Sequence, residues 1–182
     1  MQELQGRVLV IGGARSGKSA YAESLVGGQS PVTYVATAPP QLDDPEWAAR
    51  VAAHKLRRPT AWATVETTDL VSVLAHPARG SAPLLIDSVT AWLAAAMDQA
   101  GSWTGDSTAE DRLRDATDAL VAAWSTGSGP VVAVTDEVGQ GVVPDTVSGR
   151  LFRDELGQLN QRLATSAYAV WFVTAGMPQR LK

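Results

Sequence analysis

The octapeptide Gly12-Gly13-Ala14-Arg15-Ser16-Gly17-Lys18-Ser19 fits the pattern G-x-x-x-x-G-K-[ST]. Before it, residues 7–11 (Arg-Val-Leu-Val-Ile) read as a buried strand; after it, residues 18–26 read as a helix, ended by Gly27-Gly28. That order gives the pattern its mechanism. Glycines let successive backbone N–H groups turn inward around phosphate oxygens, and the helix N-terminus adds partial positive charge. Lys18 would reach the β- and γ-phosphates, and the Ser19 hydroxyl would hold Mg2+. A glycine turn without a ligand is the competing reading.

Beyond this loop, strand and helix signals alternate. Residues 32–36 form a second apolar run. Asp44-Pro45 opens a helix, with Asp as N-cap and Pro at the first helical position, and Pro59 closes it. Residues 61–66 and 84–86 read as strands, 90–97 as a helix. Residues 110–124 place Leu113, Ala116, Leu120 and Ala123 along one stripe between charges, an amphipathic helix. Strands over 131–135 and 170–174 flank a helix over 152–164, and residues 139–149 read as a connecting or functional loop. The alternation predicts one α/β domain over residues 1–182, a mostly parallel sheet with helices on both faces. Asp87, at the end of the apolar run Leu84-Leu85-Ile86, stands where a second Mg2+-linked acid sits in phosphate-loop proteins; alone, an Asp there also serves as a turn residue.

Composition narrows the classes. The chain has 182 residues, 15 Lys and Arg against 19 Asp and Glu, a formal charge of −4 and no Cys. Absent Cys excludes Cys-ligated zinc, iron–sulfur clusters and thiol nucleophiles. Net acidity argues against nucleic acid as the main partner. Apolar runs such as residues 91–97 fall far short of the ~20 residues a membrane span needs. With no leader-like pattern at residues 1–13, the expectation is a cytoplasmic protein without membrane insertion.

Residues 44–58 carry a second constellation. On a helix Arg50, His54 and Arg57 share one face, with Trp47 and Val51 beside His54. Cations around an imidazole favour its neutral, nucleophilic form, and would balance charge on an attacked phosphorus. The spacing equally admits a solvated basic face with an incidental His.

At this point the chain resembles a family: the bifunctional adenosylcobinamide kinase/adenosylcobinamide-phosphate guanylyltransferases of cobalamin synthesis. The resemblance covers nearly the whole chain and rests on ordered blocks. These are the loop at 12–19, Tyr34-Val35-Ala36-Thr37-Ala38, Arg50-x3-His54-x3-Arg58-Pro59, and Trp62-x-Thr64-x-Glu66. Glu137-Val138-Gly139-x-Gly141-x-Val143-Pro144 and Phe152-Arg153-Asp154-x2-Gly157-x2-Asn160-Gln161 complete the set. It implies a RecA-like P-loop NTPase fold, a homotrimer with sites between subunits, Mg2+, and GTP and ATP as substrates. It implies two reactions: γ-phosphoryl transfer to the hydroxyl of adenosylcobinamide, then GMP transfer from GTP through a guanylylated histidine to the adenosylcobinamide phosphate. His54 matches that histidine, and Lys18 is the second catalytic residue. Nucleotide contacts carry over to Gly12, Gly13, Ala14, Arg15, Ser16, Gly17, Lys18, Ser19, Ala36, Thr37, Ala38, Lys55, Leu56, Arg57, Arg58, Glu66 and Asp87, and metal contacts to Ser19 and Asp87. Glu66 and Asp87 both remain candidates for guanine or the metal. Two places depart from the family pattern: residues 94–96 are Ala where an Asn is expected, and Asp136 replaces an Asn, adding negative charge near an anionic substrate. The alternative is a P-loop small-molecule kinase without nucleotidyl transfer. A nucleotide switch is disfavoured because no N-K-x-D motif occurs.

Overall fold

The computed structural model describes residues 4–27, 31–38, 58–75, 82–104 and 106–182. The expected helix opened by Asp44-Pro45 lies almost wholly outside them, as do His54, Lys55, Leu56 and Arg57. Within the described residues the chain runs β1 (Arg7–Gly12), α1 (Lys18–Val26), β2 (Thr33–Ala36), β3 (Ala63–Glu66), α2 (Leu70–Ala75), β4 (Leu84–Asp87) and α3 (Val89–Ala100). It continues through α4 (Ala109–Thr126), β5 (Val131–Asp136), α5 (Val147–Ser166), β6 (Ala169–Thr174) and β7 (Met177–Arg180).

All seven strands join one sheet in the order β3-β2-β4-β5-β1-β6-β7. Every pairing is parallel except β6 with β7. The central strands β1, β4 and β5 are buried almost end to end, because a parallel sheet covered on both faces has no polar side. Alternate residues feed two cores. Val8, Val10, Tyr34, Leu85, Val132 and Val134 pack with Ala22 and Val26 of α1. Leu9, Val35, Ile86, Ala133 and Val170 pack into the other core with apolar residues of α2, α3, α4 and α5. The helices on both faces are thus as expected.

Three elements differ from the sequence reading. The sequence pattern does not announce the helix α2, because its core-facing residues Leu70 and Leu74 give a single apolar repeat. Nor does it announce the strand β7. It carries Pro178 and is exposed throughout, and Pro, lacking an N–H, is tolerated in a sheet only at such an edge. The helix α5 begins at Val147 rather than Phe152, inside the expected loop, because Thr146 caps it by accepting from the Gly149 amide at 3.1 Å. Along α4 the buried line is Leu113, Thr117, Leu120 and Trp124, with Ala116 and Ala123 only half-buried. The hydroxyl of Thr117 makes its burial tolerable by donating to the Arg114 carbonyl at 2.9 Å. Among the described residues no helix is long and apolar enough to cross a membrane.

Candidate functional site

The strand β1 ends at Gly12, flanked in register by Asp136 of β5 and Val173 of β6. A Cβ on Gly12 would stand 2.6 Å from the Val173 carbonyl oxygen and 2.5 Å from the Ser16 hydroxyl, so only glycine fits between the folded-back loop and the sheet. The chain turns through Arg15 at φ 57° and Gly17 at φ 94° before entering α1. Three contacts hold the turn. The Ser16 amide donates to the Gly13 carbonyl at 3.2 Å, the Lys18 amide to the Ser16 hydroxyl at 3.4 Å, and the Gly176 amide to the Ser16 carbonyl at 2.8 Å. The last comes from the β6–β7 turn, so the edge hairpin buttresses the loop. The N-cap of α1 is Gly17, no side chain caps it and its first turn carries no acid. Amides there are left for a ligand, and the helix end favours an anion.

The Lys18 ammonium donates to the Gly13 carbonyl at 3.2 Å and pairs with Asp136 at 2.6 Å. The sequence reading treated Asp136 only as added negative charge; here that charge is matched by the loop's own lysine. The Asp136 backbone is itself clamped: its amide donates to the Thr90 hydroxyl at 2.8 Å, and its carbonyl accepts from the Asn160 side-chain amide at 3.0 Å. The Oδ1 of Asn160 in turn accepts from the buried Thr135 hydroxyl at 2.8 Å.

Two strands away from β1, across β5, Asp87 ends β4. Glu66, Ala36 and Asp87 lie in one row across β3, β2 and β4, at the strand ends that also present the loop. The Tyr34 hydroxyl donates to Asp87 at 2.8 Å, and the Arg58 guanidinium stacks 3.3 Å above the Tyr34 ring. Burial, and then the Asp87 charge, push the Tyr34 hydroxyl far above its ordinary range, so it stays a donor, with Arg58 opposing. Thr37 is buried and braces this corner: its hydroxyl donates to the Ser88 carbonyl at 2.6 Å and accepts from the Ser88 amide at 2.9 Å. Ala38 is half-buried just beyond.

The fold therefore brings the loop residues 12–19, Ala36, Thr37, Ala38, Arg58, Glu66 and Asp87 to one edge of the sheet, where open α/β sheets take their ligands. Tyr34 and Asn160 of the family blocks and the departing residue Asp136 join them, with Thr90, through contacts that no motif announces. Motif spacing cannot pair position 18 with 136; the available signal was an acid ending an apolar strand, the same one that marks Asp87.

A family model described as cobinamide kinase / cobinamide phosphate guanyltransferase matches residues 8–181. The chain is similar to the bifunctional adenosylcobalamin biosynthesis protein CobU of Escherichia coli K12, 39% identical over 96% of this chain and 99% of that one. It is 38% identical to CobU of Salmonella typhimurium, with the same coverage. To CobP of Pseudomonas aeruginosa it is 37% identical over 97% of both chains. Among solved structures, a type III secretion ATPase of pathogenic bacteria superposes with a TM-score of 0.58 at 13% identity, covering 93% of this chain and 51% of that one. A protein of Pyrococcus horikoshii OT3 gives 0.52 at 8% identity, covering 99% and 89%. These two likenesses bear on the fold alone.

Proposed function

Because the chain belongs to the cobinamide kinase / cobinamide phosphate guanyltransferase family, we propose that one triphosphate site at this sheet edge serves both reactions, with His54 as the guanylylated residue. The observation that carries the reading is the uncapped glycine cradle with Lys18 inside it and the Asp87 carboxylate on the same edge.

In the first reaction the cradle amides and Lys18 hold the phosphate chain of ATP or GTP and offset the charge that develops on it. The hydroxyl oxygen of adenosylcobinamide bonds to the γ-phosphorus, the bond to the β-phosphate oxygen breaks, and the hydroxyl proton leaves. In the second, the His54 imidazole nitrogen bonds to the α-phosphorus of GTP and pyrophosphate departs. A phosphate oxygen of adenosylcobinamide phosphate then displaces the imidazole, giving adenosylcobinamide-GDP. The same cradle holds the leaving pyrophosphate, which is why one grip suits both outcomes. Arg58, Glu66 and the chain at 36–38 border the site where the nucleoside would lie; Lys55, Leu56 and Arg57 follow His54 in sequence.

The donors fit Mg2+. Ser19, in the first turn of α1, offers a hydroxyl and Asp87 a carboxylate, both hard oxygens; Mg2+ takes one or two such ligands and keeps waters and phosphate oxygens for the rest. When bound it would neutralise charge between the phosphates.

A labelling experiment separates this reading from a simple kinase. Incubation with α-labelled GTP should leave acid-labile, alkali-stable label on the protein, and His54→Ala should abolish it. Persisting label on that variant rejects His54. Substrate-dependent γ-transfer without any adduct in the unaltered protein favours the kinase reading. The further expectations of a homotrimer and a cytoplasmic setting rest on the family and on the triphosphate substrates; sedimentation at three chain masses tests the first, and cell fractionation the second.

A further inference from the structure

The ion pair inside the phosphate loop bears on how that loop binds. Lys18 lies 2.6 Å from the Asp136 carboxylate, both groups only partly exposed at 13% and 25%. Its two identified partners are Asp136 and the Gly13 carbonyl. Asp136 cannot withdraw by moving its backbone. Its amide and carbonyl are held by Thr90 and Asn160, and Asn160 is 7% exposed and tied to Thr135, which is wholly buried. The next amide, of Glu137, is bonded to the Gly12 carbonyl at 3.1 Å, so this carboxylate is anchored to the loop it faces. A polyphosphate entering the cradle meets an ammonium already engaged by an anion, and a negative charge about one ion's width away.

Resting on the phosphate-loop reading, we propose that Asp136 is a positioning residue that latches Lys18 in the nucleotide-free protein, so that the triphosphate must take the ammonium from this carboxylate in order to bind. Two effects follow from one geometry. The latch keeps the long lysine side chain ordered at the mouth of the cradle, which limits the entropy lost when phosphate arrives. It also sets the affinity, because the Lys18–phosphate contact is formed at the expense of Lys18–Asp136. The anchored backbone confines the exchange to side-chain rotation.

The test is equilibrium binding of fluorescently labelled GTP, with EDTA present so that the readout isolates Lys18 from any metal. Four proteins are compared: the unaltered chain, Asp136→Asn, Lys18→Met and the double variant. Asn keeps the shape and a hydrogen-bond acceptor but removes the charge. The expected result is that Asp136→Asn binds about tenfold tighter, the size expected for freeing one partly screened charge at this range. Lys18→Met binds weakly, and in that background Asp136→Asn tightens binding by clearly less than it does with Lys18 present, the remainder being relief of repulsion. Asp136→Ser, which also removes the charge, should tighten binding in the same direction. Should Asp136→Asn fail to fold by circular dichroism, the Ser variant carries the comparison.

Equal or weaker binding by the charge-removed variants overturns the latch, and so does equal tightening with and without Lys18, which would mean simple repulsion. In either case binding by the unaltered chain and its loss in Lys18→Met would leave the phosphate-loop reading standing. If no protein binds, and Lys18→Met behaves like the rest, that reading fails and the latch with it.

Discussion

Gly12 shows how a single side-chain atom is excluded by the sheet. Its missing Cβ is the space that the Val173 carbonyl and the Ser16 hydroxyl occupy. Gly12→Ala should destabilise the protein by roughly 2–3 kcal/mol, since one of the two obstacles, the Val173 carbonyl, is backbone and cannot rotate away. Urea unfolding monitored by tryptophan fluorescence checks this; a loss below a few tenths of a kcal/mol would mean that the loop yields easily. Gly13 makes the contrast: nothing lies within 4 Å of its hypothetical Cβ, so its space faces outward, where a ligand would approach. Lys18 and Asp136 follow the same logic. Their partnership depends on the register that sets Gly12 opposite Asp136.

Elements are held by local devices that the hydrophobic pattern does not show. The β6–β7 connection places Ala175 at φ 51° and Gly176 at φ 78°, a two-residue hairpin turn with both centres left-handed. Ala carries a steric cost there that Asn largely escapes. Ala175→Asn should therefore raise stability by about 1 kcal/mol, read as a higher urea midpoint with an unchanged slope. The N-terminus of α4 has a pH-dependent brace. Arg112 first, then the Thr108 amide and hydroxyl, hold the Asp106 carboxyl down from 3.8 to about 2. A lowered acid stabilises the fold above its unfolded value and loses that contribution as pH falls through the folded one. The melting-temperature difference between the unaltered protein and Asp106→Asn should hold steady above about pH 5, shrink as pH falls towards about 2 and vanish only near about pH 1. It should also shrink with salt, because the pair is exposed. A difference independent of pH would refute the brace.

The whole molecule depends on a few side chains that tie layers together. Trp124 of α4 is 1% exposed, donates its indole N–H to the Leu163 carbonyl of α5 at 3.1 Å, and offers its own carbonyl to Arg7 of β1 at 2.7 Å. Burial lowers the pKa of the Arg7 guanidinium, which also reaches the Gly129 carbonyl before β5. Trp124→Ala should cost about 3–5 kcal/mol, a large share of the 5–15 kcal/mol typical of a domain, and should show as an early, broadened melt. An unchanged melting temperature would contradict the packing described.

Most of the order of strands and helices, the loop at 12–19 and the acid closing β4 were legible in the chain itself, because each is a local signal: turn glycines, apolar runs, a lysine and hydroxyl at fixed spacing. His54 was singled out by its blocks of neighbours and lies outside the described residues. Short or edge elements such as α2 and β7 were illegible, since one apolar repeat or an exposed strand leaves no period to read. Tertiary structure alone decided that β5 lies between the loop strand and Asp87, that Tyr34 donates to Asp87, and that Lys18 meets Asp136. Those facts depend on strand order and register, set by the packing of two cores against one sheet, and no spacing along a single chain encodes which distant residues a sheet will place side by side.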